Sequence, residues 1–338
     1  MVEARLSRRS SARCCVALLF HTVRAMLVGI LLTPLSAVLA PGDTVTVLGA
    51  SGNVGKLVAL RLADTFKVRG VVRDAARARA FLGDKVSLYE ADLRGDDVTA
   101  ALAPALEGAQ GLVVCTGTTA FPTQAWSPSG REGVSLPVLR ALFDAREAGG
   151  LGAVVEAAIA SLSASGFNTP TVVDEVGNYK ILEAWEAAAG ASRKRLVLLS
   201  SVGVQRRAEM PYPILNACGV LDAKAAAEAA IVADAAGAGY TYTFVRPGQL
   251  FGGPYDNNYY LGTLFQLDKD AETREVLLGK GDVTLNGDPQ LGTLRSTLAE
   301  VIAQTLECGA GENTDFTCVN AKGEFPEPAV LRERLAAL

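Results

Sequence analysis

The sequence predicts an α/β fold in which helices cover both faces of a parallel sheet, and three observations predict it. A β-branched run at 44–49, TVTVLG, passes through a glycine-rich turn directly into a helix-period segment. Three more apolar runs follow at 67–72, 86–91 and 111–117, with helical sequence between them. That alternation is the pattern of parallel strands joined by helical crossovers. The chain has 338 residues and is 49% apolar, enough for one large domain or two modest ones around a sizeable core.

The first unit carries the chemistry. Its turn reads Gly49-Ala-Ser-Gly52-Asn-Val-Gly55 and opens onto KLVALRLADTF. A turn stripped of side chains lets backbone amides approach a pyrophosphate, and the N-terminus of the next helix adds a favourable field. Gly49, Ser51, Gly52, Asn53, Val54 and Gly55 are the candidate pyrophosphate contacts, and Gly55 also lets the helix pack closely on the sheet. The same spacing occurs in purely structural turns, so the following strands must carry the weight.

The second strand, KVRGVV, ends at Val71-Val72-Arg73-Asp74. In a dinucleotide site this tip faces the adenosine ribose. An acid at the tip accepts the hydroxyls of NAD, whereas Arg73 suits the 2′-phosphate of NADP, because its planar fork pairs with phosphate oxygens. The reading favours NADP over NAD; Arg77 and Arg79 either assist or face solvent. The third strand, VSLYEA, leads to Asp92-Leu93, where Asp92 is placed for the adenine edge. The fourth, GLVVCTG, ends in Gly117, which leaves room for the ribose and nicotinamide.

Beyond these units come a helix over 171–189, a fifth strand at 194–200 closing on Ser200-Ser201, and a helix over 221–236. A sixth strand at 240–248 runs into Pro247-Gly248 and then an irregular stretch that includes GGPYDNNYY at 252–260. A helix at 296–307, a strand at 315–320 and a helix over 327–338 complete the chain. The predicted architecture is a Rossmann-type doubly wound parallel sheet with a small C-terminal substrate-side region. Its parts are a leader at 1–40, a dinucleotide-binding domain at 43–248, and a region at 249–338 interleaved with that domain. Residues 128–168, rich in Ala, Gly and Ser, are predicted to insert one or two amphipathic helices, as a lid, a partner surface or a retained non-coding piece.

Composition narrows the function. Lys and Arg total 32 against 36 Asp and Glu, without the positive footprint of a nucleic-acid binder. Arg5, Arg8, Arg9, Arg13 and Arg24 face only Glu3 in the leader, ahead of the uncharged run AMLVGILLTPLSAVLA at 25–40. That run falls short of the roughly 20 apolar residues of a spanning helix, and Pro34 interrupts it. An organelle transit peptide, a secretory-type signal and a short retained anchor all fit; no later run is long enough to span a membrane. The single histidine, His21, also lies there, so a cleaved chain excludes histidine triads and histidine-ligated zinc. Cys115, Cys218, Cys308 and Cys318 show no CxxC spacing and read as small core hydrophobes, with no metal site.

The segments VLGASGNVG (47–55), VVRD (71–74), ADL (91–93), VVCTGTTAFP (113–122), VDEVGN (173–178), LVLLSSVGV (196–204), MPYPILNACGVLDAK (210–224), VRPGQL (245–250) and GGPY (252–255) carry a family resemblance. Over about 43–325 the chain resembles an atypical, extended-type short-chain dehydrogenase/reductase, above all the NmrA-like, plastid-targeted NAD(P)-binding proteins of plants and algae. The resemblance implies a plastid transit peptide. Its members include reductases, epimerases and assembly factors for photosynthetic or translocon complexes. The 128–168 segment departs from the family pattern, which has only a short stretch there.

The usual reaction of that superfamily needs a tyrosine, a lysine four residues later and a serine on the preceding strand. The resemblance places the lysine at Lys224 and the serine at Ser201, beside Ser200. The tyrosine position holds Val220, which neither donates nor accepts a proton; plastid relatives often lack that tyrosine too. Tyr212, in the preceding loop, is the candidate substitute, with Tyr255 and Tyr259 behind it, and each also reads as a packing tyrosine. Asn216 is suited to a substrate carbonyl. The resemblance puts Arg246 at the nicotinamide end, and a buried tie from the sheet edge to the C-terminal part fits it equally.

Two functions follow. One is an NADP-dependent oxidoreductase or isomerase of a small metabolite in the plastid, with a pocket formed by 249–290. The other is a catalytically weak NADPH-binding scaffold, sensor or assembly factor for a plastid complex. The Val220 position and the inserted segment favour the second; the cofactor-binding residues serve both.

Overall fold

The computed structural model describes residues 38–253, 272–288 and 291–338. Residues 1–37 of the leader, with His21, and the candidates Tyr255 and Tyr259 lie outside the described residues.

β1 (Thr44–Leu48) turns through the glycine loop into α1 (Gly55–Leu62). β2 (Lys67–Val72), α2 (Ala75–Leu82), β3 (Ser87–Glu90), α3 (Val98–Leu106) and β4 (Gly111–Val114) repeat the unit. The next stretch holds α4 (Ser135–Asp144) and α5 (Leu151–Ala164), so residues 128–168 contain two helices. A π-helical turn, Thr171–Val176, runs into α6 (Gly177–Ala189), followed by β5 (Arg195–Leu199), the short α7 (Tyr212–Leu215), α8 (Val220–Ala238) and β6 (Thr241–Pro247). β7 (Leu250–Phe251), β8 (Glu275–Lys280), β9 (Thr293–Leu294), α9 (Arg295–Cys308), β10 (Thr314–Ala321) and α10 (Pro328–Ala336) end the chain.

Eight strands form one sheet in the order β3-β2-β1-β4-β5-β6-β10-β8. Its pairs are parallel except for β8, which runs antiparallel to β10 with Cys318 opposite Leu278. The sheet is therefore mixed, and β7, β8 and β9 fall in a stretch that reads as irregular in sequence. The chain leaves β1 toward β3 on one side and restarts at β4 on the other. The carboxyl ends of β1 and β4 thus flank the point where strand order reverses, the place where such sheets open a crevice.

Helices on both faces explain the continuous burial of the central strands. Val45, Val47, Val113 and Val197 join one core with Val58 and Leu62 of α1, Leu82 of α2, Leu298 and Ile302 of α9 and Leu331 of α10. The alternate residues Leu48, Leu112, Val114, Leu196 and Leu198 join the other, with Leu102 and Leu106 of α3, Ile181 and Trp185 of α6 and Ile231 of α8. Each fully buried Val or Leu contributes about 1.5–3 kcal/mol relative to exposure. The inserted helices make a third cluster of Trp126, Val134, Ala141, Ala158 and Leu162.

Cys318 belongs to the first core and Cys115 packs against it, while Cys218 packs on the inserted cluster. Cys308, at the end of α9, is exposed instead, which corrects the reading of all four as core residues. Among the described residues no helix is long and apolar enough to cross a membrane.

Candidate functional site

The glycine loop is built by contact of the backbone with itself. A Cβ at Gly55 would lie 2.1 Å from the Gly49 carbonyl oxygen, so no side chain fits there. Gly49 has a φ of +77°, and a Cβ on it would sit 3.1 Å from the Thr116 amide and 3.2 Å from the Cys115 carbonyl. The amides of Gly49 and Ala50 donate to the Val71 carbonyl, at 3.2 and 3.1 Å, which ties the loop to the tip of β2. Ser51 and Gly52 are exposed, Asn53 is half-buried and Val54 is buried at the start of α1. No side chain caps α1, so its N-terminal field is presented through backbone alone.

At the tip of β2, Asp74 accepts the Arg77 amide at 2.9 Å and caps α2, and Glu90 accepts the Ala75 amide at 2.7 Å. The exposed Arg73 donates to the Pro128 carbonyl at 3.1 Å. Desolvation, then repulsion from Arg94, lowers its pKa from the usual guanidinium value. Arg79 turns to the other end of α2, donating to the Gly83 carbonyl at 2.9 Å.

At the end of β3, Asp92 takes the Arg94 guanidinium in a two-pronged pair, with Nε at 3.0 Å from Oδ1 and Nη2 bonded to Oδ2. The Arg94 hydrogen bonds hold the Asp92 pKa below the ordinary carboxylate range. The Leu93 carbonyl accepts Lys180 Nζ at 3.0 Å.

The exit of β4 is the most informative part. The hydroxyls of Thr116 and Thr118 are buried and have no hydrogen-bond partner. Each buried hydroxyl left unmade costs about 1–3 kcal/mol. Between them is Gly117, where a Cβ would lie 3.1 Å from Asp174 Oδ1 and 3.5 Å from Lys224 Nζ. Asp174 stands on the π-helical turn; its Oδ1 accepts Lys224 Nζ at 2.7 Å and its Oδ2 accepts the Thr118 amide at 3.1 Å. Sequence reasoning gave Asp174 no role, although it lies in the quoted segment VDEVGN. Nothing local in sequence marks a contact that spans 50 positions.

The remaining candidates separate. Ser201 Oγ donates to the Val202 carbonyl at 3.0 Å, and Ser200 Oγ is bonded to Glu228. Glu228 also accepts Arg246 Nη2 at 2.6 Å, while Arg246 Nη1 pairs with Asp315. Arg246, 1% exposed, thus ties β6 to both α8 and β10. Beside this network a cavity of about 300 Å³ opens between α8 and β6, walled by Tyr242, Phe244 and Val232. Tyr212 is buried with Val204, Val220 and Leu221; its ring fills the space over Gly203 and lies under the Arg206 guanidinium, 4.8 Å from its carbon. Burial pushes its hydroxyl pKa up. Asn216 caps α8, its side-chain oxygen accepting the Leu221 amide at 2.8 Å. Burial pushes the Cys115 thiol up to about 12. Among the described residues no group of His, Cys, Asp or Glu is placed to hold a metal ion.

The structure therefore gathers the glycine loop, Gly117, Lys224 and Asp174 at the adjacent exits of β1 and β4. It sets Arg73 and Asp92 along the β2–β3 edge and leaves Arg246 and Tyr212 engaged in packing of their own. The absent side chain at Gly55 lets α1 close against the Gly49 carbonyl, so the loop's free amides are held at the start of the helix.

A family model described as NAD(P)H-binding matches residues 49–276. An uncharacterized chloroplastic protein of Arabidopsis thaliana is 27% identical over 267 residues, 78% of this chain; the match spans 65% of that protein's length. A candidate NAD-dependent epimerase/dehydratase from Bacillus halodurans superposes with a TM-score of 0.54 at 19% identity, covering 87% of this chain and 100% of that one. The oxidoreductase ylbE of Lactococcus lactis gives 0.52 at 14% identity, over 87% and 96% of the two chains. At such identities these likenesses show the fold alone.

Proposed function

This chain belongs to the NAD(P)H-binding family, and from that premise we propose that it is an NADP-dependent oxidoreductase or isomerase of a small metabolite, acting in the plastid. The carrying observation is the crevice at the exit of β4. Two buried hydroxyls without partners, Thr116 and Thr118, follow β4 beside a glycine loop in which Gly49 and Gly55 leave no room for a Cβ. Buried polar groups without partners are rare in native folds, and a polar ligand seated at this strand exit with a small local shift would answer them. Arg73 at the β2 tip supports the choice of NADP, the chloroplastic likeness supports the plastid, and the motif set supports an atypical short-chain dehydrogenase/reductase.

In this reading the amides from Gly49 to Gly55, with Ser51, Asn53 and Val54, hold the pyrophosphate. Asp92 and Leu93 line the adenine, and Gly117 leaves room for the nicotinamide ribose. Lys224, aligned by Asp174, donates to the ribose hydroxyls. Bound NADPH would supply a hydride. Ser201 would orient the substrate carbonyl. With Val220 where a proton donor usually stands and Tyr212 engaged in packing, the proton would come from water or from the substrate itself.

The second reading, an NADPH-binding scaffold or sensor with weak catalysis, is favoured by Val220, by the Tyr212 packing and by the exposed apolar stripe of α4. Leu136, Leu139 and Phe143 of that stripe are 77%, 63% and 64% exposed. Fluorescence titration with NADPH and NADH, followed by NADPH oxidation against plastid carbonyl metabolites, tests both. Binding with turnover supports the enzyme, binding alone supports the scaffold, and uptake of neither nucleotide removes both readings.

A further inference from the structure

The insertion ends where the adenosine side of the crevice begins, and it brings a charge there. Arg73 donates to the Pro128 carbonyl, and Arg94 Nη1 donates to the Gly166 carbonyl at 2.9 Å, so the two ends of the inserted segment rest on the β2–β3 edge. Between them, Arg131 points its guanidinium to within 4.0 Å of Asp74 Oδ2.

The turn presenting Arg131 is built rigidly. Ser127, 1% exposed, accepts the amides of Arg131 and Glu132, both at 3.0 Å, while its hydroxyl donates to the Gln124 carbonyl at 2.8 Å. Asn168, after α5, donates to the Ala125 and Ser127 carbonyls at 3.2 and 2.6 Å. Gly130 has a φ of +75°, and a Cβ on it would lie 2.9 Å from Arg73 Nη2. The turn is thus shaped to let Arg73 pass against its backbone.

Three guanidinium groups, on Arg73, Arg94 and Arg131, stand with the carboxylates of Asp74, Glu90 and Asp92 along this edge, and Glu90 is engaged with the Ala75 amide. Asp92 is taken by Arg94, and the other oxygen of Asp74 caps α2. Arg73 donates to a neutral carbonyl; it is repelled by Arg94, attracted by Asp92 and, more weakly than either, repelled by Arg131. Like charges held together on fixed frames cost free energy unless an anion enters among them.

We infer that the inserted turn supplies Arg131 as a second cation for the 2′-phosphate of NADP, facing Arg73 across that phosphate. The insertion is then part of the cofactor site, and Arg131 determines specificity together with Arg73. This inference rests on the dinucleotide reading above. It goes beyond it by assigning a role to Arg131, which lies outside the glycine loop and the strand tips that carry the dinucleotide reading.

Calorimetric titration of the full chain with 2′,5′-ADP and 5′-ADP separates the possibilities. Arg131→Ala is expected to weaken 2′,5′-ADP about tenfold and 5′-ADP by no more than about twofold, a loss typical of one exposed charge-assisted contact. Arg131→Lys is expected to recover part of that loss. Equal losses for the two ligands, or none, overturn the role of Arg131 while leaving nucleotide binding intact. Equal affinity of the unmodified chain for both ligands also overturns it. Binding of neither by the unmodified chain takes down the dinucleotide reading itself. Should Arg131→Ala lose its far-ultraviolet dichroism, Arg131→Gln supplies the same comparison.

Discussion

Lys224 Nζ lies 2.7 Å from Asp174 Oδ1, and that carboxylate is 1% exposed. The pair joins α8 to the turn before α6 and sets an ammonium group beside Gly117. Removing one partner of such a buried pair leaves the other charge without compensation and costs about 3–5 kcal/mol. Asp174→Asn and Lys224→Met are each expected to fall in that range by urea denaturation. The double variant is expected to lose much less than their sum, because no charge is then stranded. Additive losses would show that the two groups do not sense one another.

Gly55→Ala tests the cradle. The added Cβ would meet the Gly49 carbonyl oxygen at 2.1 Å, so the loop must move. The expected outcome is a folded protein of lowered Tm whose NADPH affinity falls at least about tenfold, the worth of one charge-assisted hydrogen bond to the diphosphate. Gly83→Ala, at a glycine where a Cβ meets nothing within 4 Å, serves as control and is expected to change Tm only through its φ of +61°. Unchanged NADPH affinity in Gly55→Ala would argue against a pyrophosphate over this loop.

The fold was legible because each central strand is short, apolar and followed by a helix. β1, β4 and β5 are visible as TVTVLG, GLVVCTG and KRLVLLS, and both of their faces are covered. β8 was not legible, because EVLLGK sits at the sheet edge inside a glycine-rich stretch and gains its identity only from pairing with β10. Of the candidate site, the close backbone approaches were legible, at Gly49, Gly52, Gly55 and Gly117, since glycine spacing records them. Asp174 and Arg131 were not, because their partners, Lys224 and the β2 tip, lie far off in sequence and only the tertiary fold brings them together.

Arg73→Ala bears on the choice of cofactor. Its guanidinium, held by the Pro128 carbonyl, stands at the β2 tip. The variant is expected to bind NADPH about ten- to a hundredfold more weakly and NADH almost as before, the worth of one charged contact to phosphate. Equal losses for the two nucleotides in fluorescence titrations would remove the preference for NADP.

The Asp92–Arg94 pair gives a dependence on pH. Arg94 depresses the Asp92 pKa in the folded state, so the pair stabilises the protein above the unfolded carboxylate value near 4 and that contribution fades as pH falls through the depressed one. Both side chains keep solvent contact, so the effect is modest. Arg94→Ala is expected to lower Tm at neutral pH and to narrow its gap to the unmodified protein as pH drops below about 4. A gap that stays constant down to about pH 2 would mean that the pair contributes nothing by ionisation.

Arg246 separates a structural role from a cofactor role. Its guanidinium is 1% exposed and meets Glu228 and Asp315, so its charge is already spent on joining α8 to β10. Arg246→Met strands two carboxylates near the 300 Å³ cavity and is expected to cost about 3–5 kcal/mol. Glu228→Gln keeps the shape and Asp315 in place, and is expected to cost less. The folded fraction of Arg246→Met, measured at low temperature, is expected to bind NADPH within about twofold of the unmodified chain, since the guanidinium is already paired with Glu228 and Asp315. A large loss of NADPH affinity without a matching loss of stability would place Arg246 at the nicotinamide end instead.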